Sequence, residues 1–141
     1  MQRQAWCALA AVIFACVACT APWFMAHSPA VGFALQRAFA LLCHQQPERS
    51  FCLFGGVVAI CARCLGIYCG AALGLLVRVP RRFATHLLIT AVAMNAVDSL
   101  AEAAGLHGNW MVARFALGIV LGTAAAMIVT ATSEGFIQNA A

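Results

Sequence analysis

Cys43-His44 and, further along, Cys61-Ala-Arg-Cys64 bring three thiols and an imidazole into a short stretch of an otherwise apolar chain. Such groups at these spacings either bind a soft or borderline metal or carry out thiol–disulfide exchange. Three sulfurs and one nitrogen match the donor set of a closed tetrahedral zinc site, and a CxxC pair on a helix offers two ligands from one face. Zinc is the leading ion, because a sulfur-rich tetrahedral shell suits it without redox side reactions; copper or iron stays open in an oxidising setting. The adjacent Cys43 and His44 must both turn toward one ion. If only one of them binds, Asp98 or water completes the shell and leaves the open position that a catalytic metal uses. Gln45 and Gln46 would supply hydrogen bonds that orient the ligands.

The remaining thiols and imidazoles carry less. Cys16-Val-Ala-Cys19 repeats the spacing, but inside an apolar run with no polar neighbour, where small packing residues are the expectation. Cys7, Cys52 and Cys69 read the same way, with Cys52 close enough in sequence to pair with Cys43 in an oxidising compartment. His27, His86 and His107 read as solvated loop or helix-end residues. Phosphate loops, a nucleophile elbow and HExxH are all missing from the sequence, so classical hydrolase and nucleotide-driven chemistry lack support.

The elements that must position the four donors are membrane helices. Of 141 residues, 65% are hydrophobic and 9% charged, and the mean hydropathy of +0.94 far exceeds what an aqueous surface allows. Four stretches are long enough to cross about 30 Å of hydrocarbon: roughly Ala5–Met25, Leu53–Val77, Ala84–Ala104 and Trp110–Ala131. The expected fold is all-α: one integral membrane domain over residues 1–141, a four-helix transmembrane bundle. Between spans one and two, Val31–Leu42 is apolar but too short to cross, so it is expected as a short interfacial or re-entrant helix. Pro47 closes it and leaves residues 43–51 as an irregular connection at membrane depth. The first run resembles a signal peptide, but it is long and lacks a clear small-x-small cleavage site before Pro22, so retention is expected.

Arginines set the orientation, since the chain contains no lysine. Arg3 with the cluster Arg78, Arg81 and Arg82 places both termini in the cytoplasm by the positive-inside rule, in a multi-pass protein of the cell (inner) membrane. Arg37 and Arg49 face outward with Glu48 and the Gly105–Asn109 turn. The net charge of +4 is therefore a topology signal, and nucleic acid is not an expected partner. Membrane lipid and a metal ion are the expected partners, with a homo-oligomer or a membrane-complex subunit left open.

Helical spacing gathers the polar residues. Cys61, Cys64 and Tyr68 share one face, beside a stripe of Arg63, Gly66, Gly70 and Gly74; Asn95, Asp98 and Glu102 share another, and Arg114, Gly118 and Gly122 a third. Charge inside a bilayer is costly unless paired, so Asp98 is expected to pair with Arg63 or Arg114. The plain alternative is a structural ion pair that locks the helices. With thiols at the same depth, Asp98, Arg63, Arg114 and Glu102 become candidate acid–base or anion-binding groups.

Cys43-His44-Gln45-Gln46-Pro47-Glu48-Arg49-Ser50-Phe51, then Cys61-Ala-Arg-Cys64-Leu-Gly66-Ile-Tyr68-Cys-Gly70, then Asp98, Asn109, Arg114 and Gly118 resemble the small integral membrane proteins grouped as domain of unknown function 2085. The resemblance covers about residues 40 to 125. It implies a multi-span membrane protein with a cysteine and histidine centre and carries no activity with it.

Three functions fit these residues. The first is a metal-site membrane protein whose ion ties the spans together or assists chemistry on a small or lipid substrate. The second is a membrane thiol–disulfide oxidoreductase using Cys61 and Cys64. The third is a metal-handling carrier, the weakest, because the polar residues stop halfway across and there is no inverted repeat. His44 beside Cys43 favours the metal, since exchange chemistry needs no imidazole.

Overall fold

The computed structural model describes residues 2–106 and 108–138, with side chains described through residue 131; His107 lies outside them. The chain is mostly helical: α1 Gln2–His27, α2 Pro29–Ala40, α3 Ala62–Leu76, α4 Arg81–Ala103 and α5 Met111–Gln138, with a two-stranded hairpin of β1 Cys52–Leu53 and β2 Gly56–Val57. α1, α4 and α5 (within Met111–Ala131) are long and apolar enough to cross a membrane.

The second expected span differs from the sequence reading. Its helix begins at Ala62 rather than Leu53 and runs for 15 residues, about 22 Å at 1.5 Å per residue. The preceding residues fold as an antiparallel hairpin pairing Cys52 with Val57 and Leu53 with Gly56. Phe54 and Gly55 at its tip both take positive φ, 51° and 77°, the two-residue turn geometry that glycine makes accessible. Apolar composition alone gave no warning of this break; the Gly55-Gly56 pair did.

Beyond the hairpin, Val58, Ala59 and Ile60 are almost completely buried, and irregular backbone at that depth must find partners within the protein. Val58 N–H donates to the Phe51 carbonyl at 2.9 Å, and Ala59 N–H to the Ala18 carbonyl of α1 at 3.4 Å. The Gln45 amide donates to the Ala59 and Gln36 carbonyls, each at 2.7 Å. Gln45 reaches both through a left-handed backbone, φ 49°. One glutamine therefore fastens α2, the loop after it and the approach to α3. The core here combines Ala15, Ala18 and Ala21 of α1 with Phe39, Cys43, Ile60 and Leu65.

α3 and α5 form the tightest pair because glycines face each other. A Cβ at Gly66 would strike the Phe115 carbonyl oxygen, one at Gly70 that of Ile119, and one at Gly118 that of Arg63. Backbones this close replace the missing hydrophobic drive between helices in lipid with direct packing. Thr123 on α5 adds a hydrogen bond to the Gly70 carbonyl at 3.0 Å. α4 packs on α5, where the buried Asn95 amide donates to the Ala91 carbonyl at 2.9 Å and the Leu117 carbonyl at 3.2 Å. α2, started by Pro29 at its first turn, folds back along α1 with Phe33 exposed.

Candidate metal centre

Cys43 follows α2, Cys61 caps the start of α3, and Cys64 lies one turn into that helix. The hairpin and the buried stretch after it return the chain to the loop, so residues far apart in sequence meet. The three Sγ atoms lie within 4.8 Å of one another, with Cys43 buried and Cys61 and Cys64 half-buried. The Cys61 backbone N–H donates to the Cys43 sulfur at 3.2 Å, which ties the loop after α2 to the start of α3. A tetrahedral thiolate site holds its sulfurs about 2.3 Å from the ion and about 3.7 Å apart, so small side-chain rotations suffice to seat one. All eight cysteines are free thiols.

His44 does not join the three sulfurs, although the sequence placed it with them. The reason is local: outside a helix neighbouring side chains point apart, so Cys43 turns into the core and His44 stays exposed. It lines the cavity onto which the cysteines open. That cavity has a volume of about 380 Å³, and Gln45, Gln46, Arg49, Arg63 and Arg114 share its wall with the three thiols.

Asp98 and Glu102 stand behind the arginines. Arg63 on α3 pairs with Asp98 on α4 and donates to Ser99 Oγ at 2.8 Å. Arg114 on α5, with only 4% of its side chain exposed, pairs with Glu102 and lies 3.9 Å from Asp98. Arg49 reaches Glu102 at 3.2 Å. Neither carboxylate lines the cavity among the described residues. Asp98 and Glu102, candidate acid–base or anion-binding groups in the sequence, contact the guanidiniums that line it, with Asp98 in the ion pair expected of it. Cys52, left open in the sequence as a partner for Cys43, sits exposed on the hairpin as a free thiol, whereas Cys43 is buried against Cys61.

Arg49 is the residue that sequence reasoning missed at the site. It belongs to the outward-facing charge count and to the motif that starts at Cys43, and nothing in its spacing points to Glu102, because the contact depends on how the loop folds. Asn109 was also undervalued: its amide donates to the Glu48 carbonyl, tying the α4–α5 turn to the same loop.

The geometry can be set beside known proteins. An uncharacterized protein of Methanocaldococcus jannaschii is 33% identical over 102 residues, 65% of this chain and 64% of the relative. An uncharacterized protein of Methanothermobacter thermautotrophicus is 33% identical over 95 residues, 64% of this chain and 86% of the relative. The chain therefore spans just under two thirds of the first relative's length. No solved structure matches. Residues 43–128, from the first cysteine of the trio past Arg114, match the family described as "Predicted membrane protein (DUF2085)". With more than half its length inside that match, the chain belongs to the DUF2085 family of membrane proteins.

Proposed function

We propose that this is a membrane-embedded metal-site protein in which Cys43, Cys61 and Cys64 hold one zinc ion. The observation that carries the reading is the trio of thiol sulfurs within 4.8 Å at the wall of a polar cavity. Sulfur-rich shells favour zinc over harder ions. The fourth position opens on the cavity, where water, a substrate atom or a reoriented His44 completes the shell. When bound, the ion supplies Lewis-acid activation of that fourth ligand. Arg63 and Arg114 then face the ligand, and Asp98 and Glu102 hold them in place.

The setting we propose is a multi-pass bundle in the cell (inner) membrane, in lipid contact, with the cysteines toward the outer side. α3 is short, but the buried stretch Val58–Ile60 ahead of it extends the same crossing, giving a fourth span beside α1, α4 and α5. Arg3, Arg78, Arg81 and Arg82 then mark the cytoplasmic side. α2 lies against the outer half of α1 as the interfacial or re-entrant helix.

Elemental analysis of the purified protein, with free-thiol counting, tests the reading. One zinc per chain in the wild type, lost in Cys61→Ser and Cys64→Ser, is the expected result. A metal-free wild type whose Cys61 and Cys64 oxidise to a disulfide and are reduced again would move the assignment to a thiol–disulfide oxidoreductase. The closeness of the Cys61 and Cys64 sulfurs, within 4.8 Å of each other, favours that second reading, because an exchange pair must be near enough to bond.

A further inference from the structure

We propose that the cavity beside the cysteine trio binds a phosphate group through Arg49, Arg63 and Arg114. The inference deepens the metal reading by naming the ligand class of the same site, and it rests on that reading only for what lies beside the phosphate.

The charge distribution is the starting point. Three arginines line the cavity, together with the neutral Gln46, and no carboxylate does among the described residues. Asp98 and Glu102, which do not line the cavity, contact these guanidiniums, and the two of them serve three cations. Among the described residues the arginines on this wall thus outnumber the carboxylates shown in contact with them, three to two. Arg114 sharpens the point, being 4% exposed yet part of that wall. Its contacts with Glu102 and Asp98 offset the cost of holding a guanidinium so far from water, and an anion in the cavity would add to them.

The number of forks selects the anion. A carboxylate has two oxygens, whereas a phosphate offers three or more acceptors and so matches three guanidiniums on one wall more fully. A volume of about 380 Å³ lies at the small end of the roughly 300–1,000 Å³ typical of small-molecule pockets. It admits a phosphate with a modest organic group, or the headgroup of a lipid entering from the side. A zinc ion on three thiolates would carry a net charge of about −1 and would offset the arginine surplus, so hydrogen bonds from the guanidiniums, rather than net charge or the ion, hold the phosphate. The two binding events are then separable.

The experiment uses full-length protein in a phosphate-free maltoside detergent, with inorganic phosphate as the probe in calorimetric titration and zinc measured on the same preparation. One saturable site is expected, weakened at least about tenfold, about 1.4 kcal/mol, in Arg49→Gln and less in Arg49→Lys. Arg49 is the residue to change because its side chain is 41% exposed and its replacement leaves the buried pairs intact. Repeating the titration in nanodiscs of phosphatidylglycerol separates the sources: weaker apparent phosphate binding there identifies a lipid headgroup as occupant, and unchanged binding identifies a free phosphate compound. No saturation at millimolar phosphate, or equal affinity in wild type and Arg49→Gln, overturns the proposal. Phosphate binding in a protein without zinc defeats the metal reading alone, and zinc without phosphate binding defeats this inference alone.

Discussion

Arg63 on α3 is held to Asp98 on α4 by a direct ion pair, and the same guanidinium donates to Ser99 one residue further along α4. α3 and α4 thus meet through charge at the level of the thiols. From Asp98 the chain of ionic contacts passes to Arg114 on α5, then to Glu102, and ends at Arg49 in the loop that follows Cys43. The loop that delivers one thiol and the helix that delivers the other two are therefore referenced to one polar cluster.

Asp98→Asn should expose the importance of that cluster. The substitution leaves Arg63, one quarter exposed, without its charged partner and deprives Arg114 of a neighbour. Removing one member of a buried pair costs about 3 kcal/mol or more, and partial exposure places the expected loss at about 2 kcal/mol. Unfolding in detergent reads it. A double variant Arg63→Gln/Asp98→Asn should lose less than the sum of the single losses; full additivity would show that the two residues do not interact.

Gly70→Val tests the closest helix approach. Its new side chain would be driven into the Ile119 backbone of α5, and overpacking of this kind costs about 1–3 kcal/mol. Gly105→Ala serves as the comparison, since no atom lies within 4 Å of a Cβ there and its penalty comes from φ 69° alone. A Gly70→Val protein with wild-type thermal stability would contradict the packing described for α3 and α5.

Much of this architecture could be read before the structure. The stripe Gly66, Gly70 and Gly74 faces α5 as its spacing implied, because in lipid small residues mark helix contacts. Cys61 at the cap of α3, Cys64 in its first turn and Cys43 converge because the CxxC spacing keeps two thiols at one helix start and a proline-ended loop can fold back on it. His44 and Arg49 were not legible. Whether adjacent side chains point the same way depends on φ and ψ in an irregular loop, and here Gln45 at φ 49° sets a path that no periodicity encodes. The hairpin at residues 52–57 was hidden for another reason: its residues are as apolar as those of a helix, and only the paired glycines distinguish them.

Orientation can be tested independently of the metal. If Arg78, Arg81 and Arg82 lie in the cytoplasm, a cysteine introduced at exposed Pro80 should resist a membrane-impermeant maleimide in intact cells, while one at exposed Leu106 should react. Each is read as a mass increment over the parent protein, which corrects for the native thiols. Labelling at 80 and protection at 106 would invert the bundle.

The placement of His44 predicts an asymmetry among the four residues that the sequence grouped. Cys43, Cys61 and Cys64 already hold their sulfurs within 4.8 Å, whereas His44 is exposed and outside that group. Substitution of a residue that merely supports a ligand lowers metal affinity about 10- to 100-fold, and loss of a ligand exceeds that. Cys43→Ser, Cys61→Ser and Cys64→Ser should therefore each lower zinc affinity by more than about 100-fold, and His44→Ala by less than about tenfold. Cobalt substituted for zinc reports the shell directly, because the intensity of its thiolate absorption follows the number of sulfur ligands. The band should be retained in His44→Ala and diminished in each cysteine variant. If His44→Ala instead abolishes binding as completely as Cys61→Ser, the imidazole swings in on metal binding and the shell is closed, which would make the ion a structural clasp rather than a centre open to the cavity.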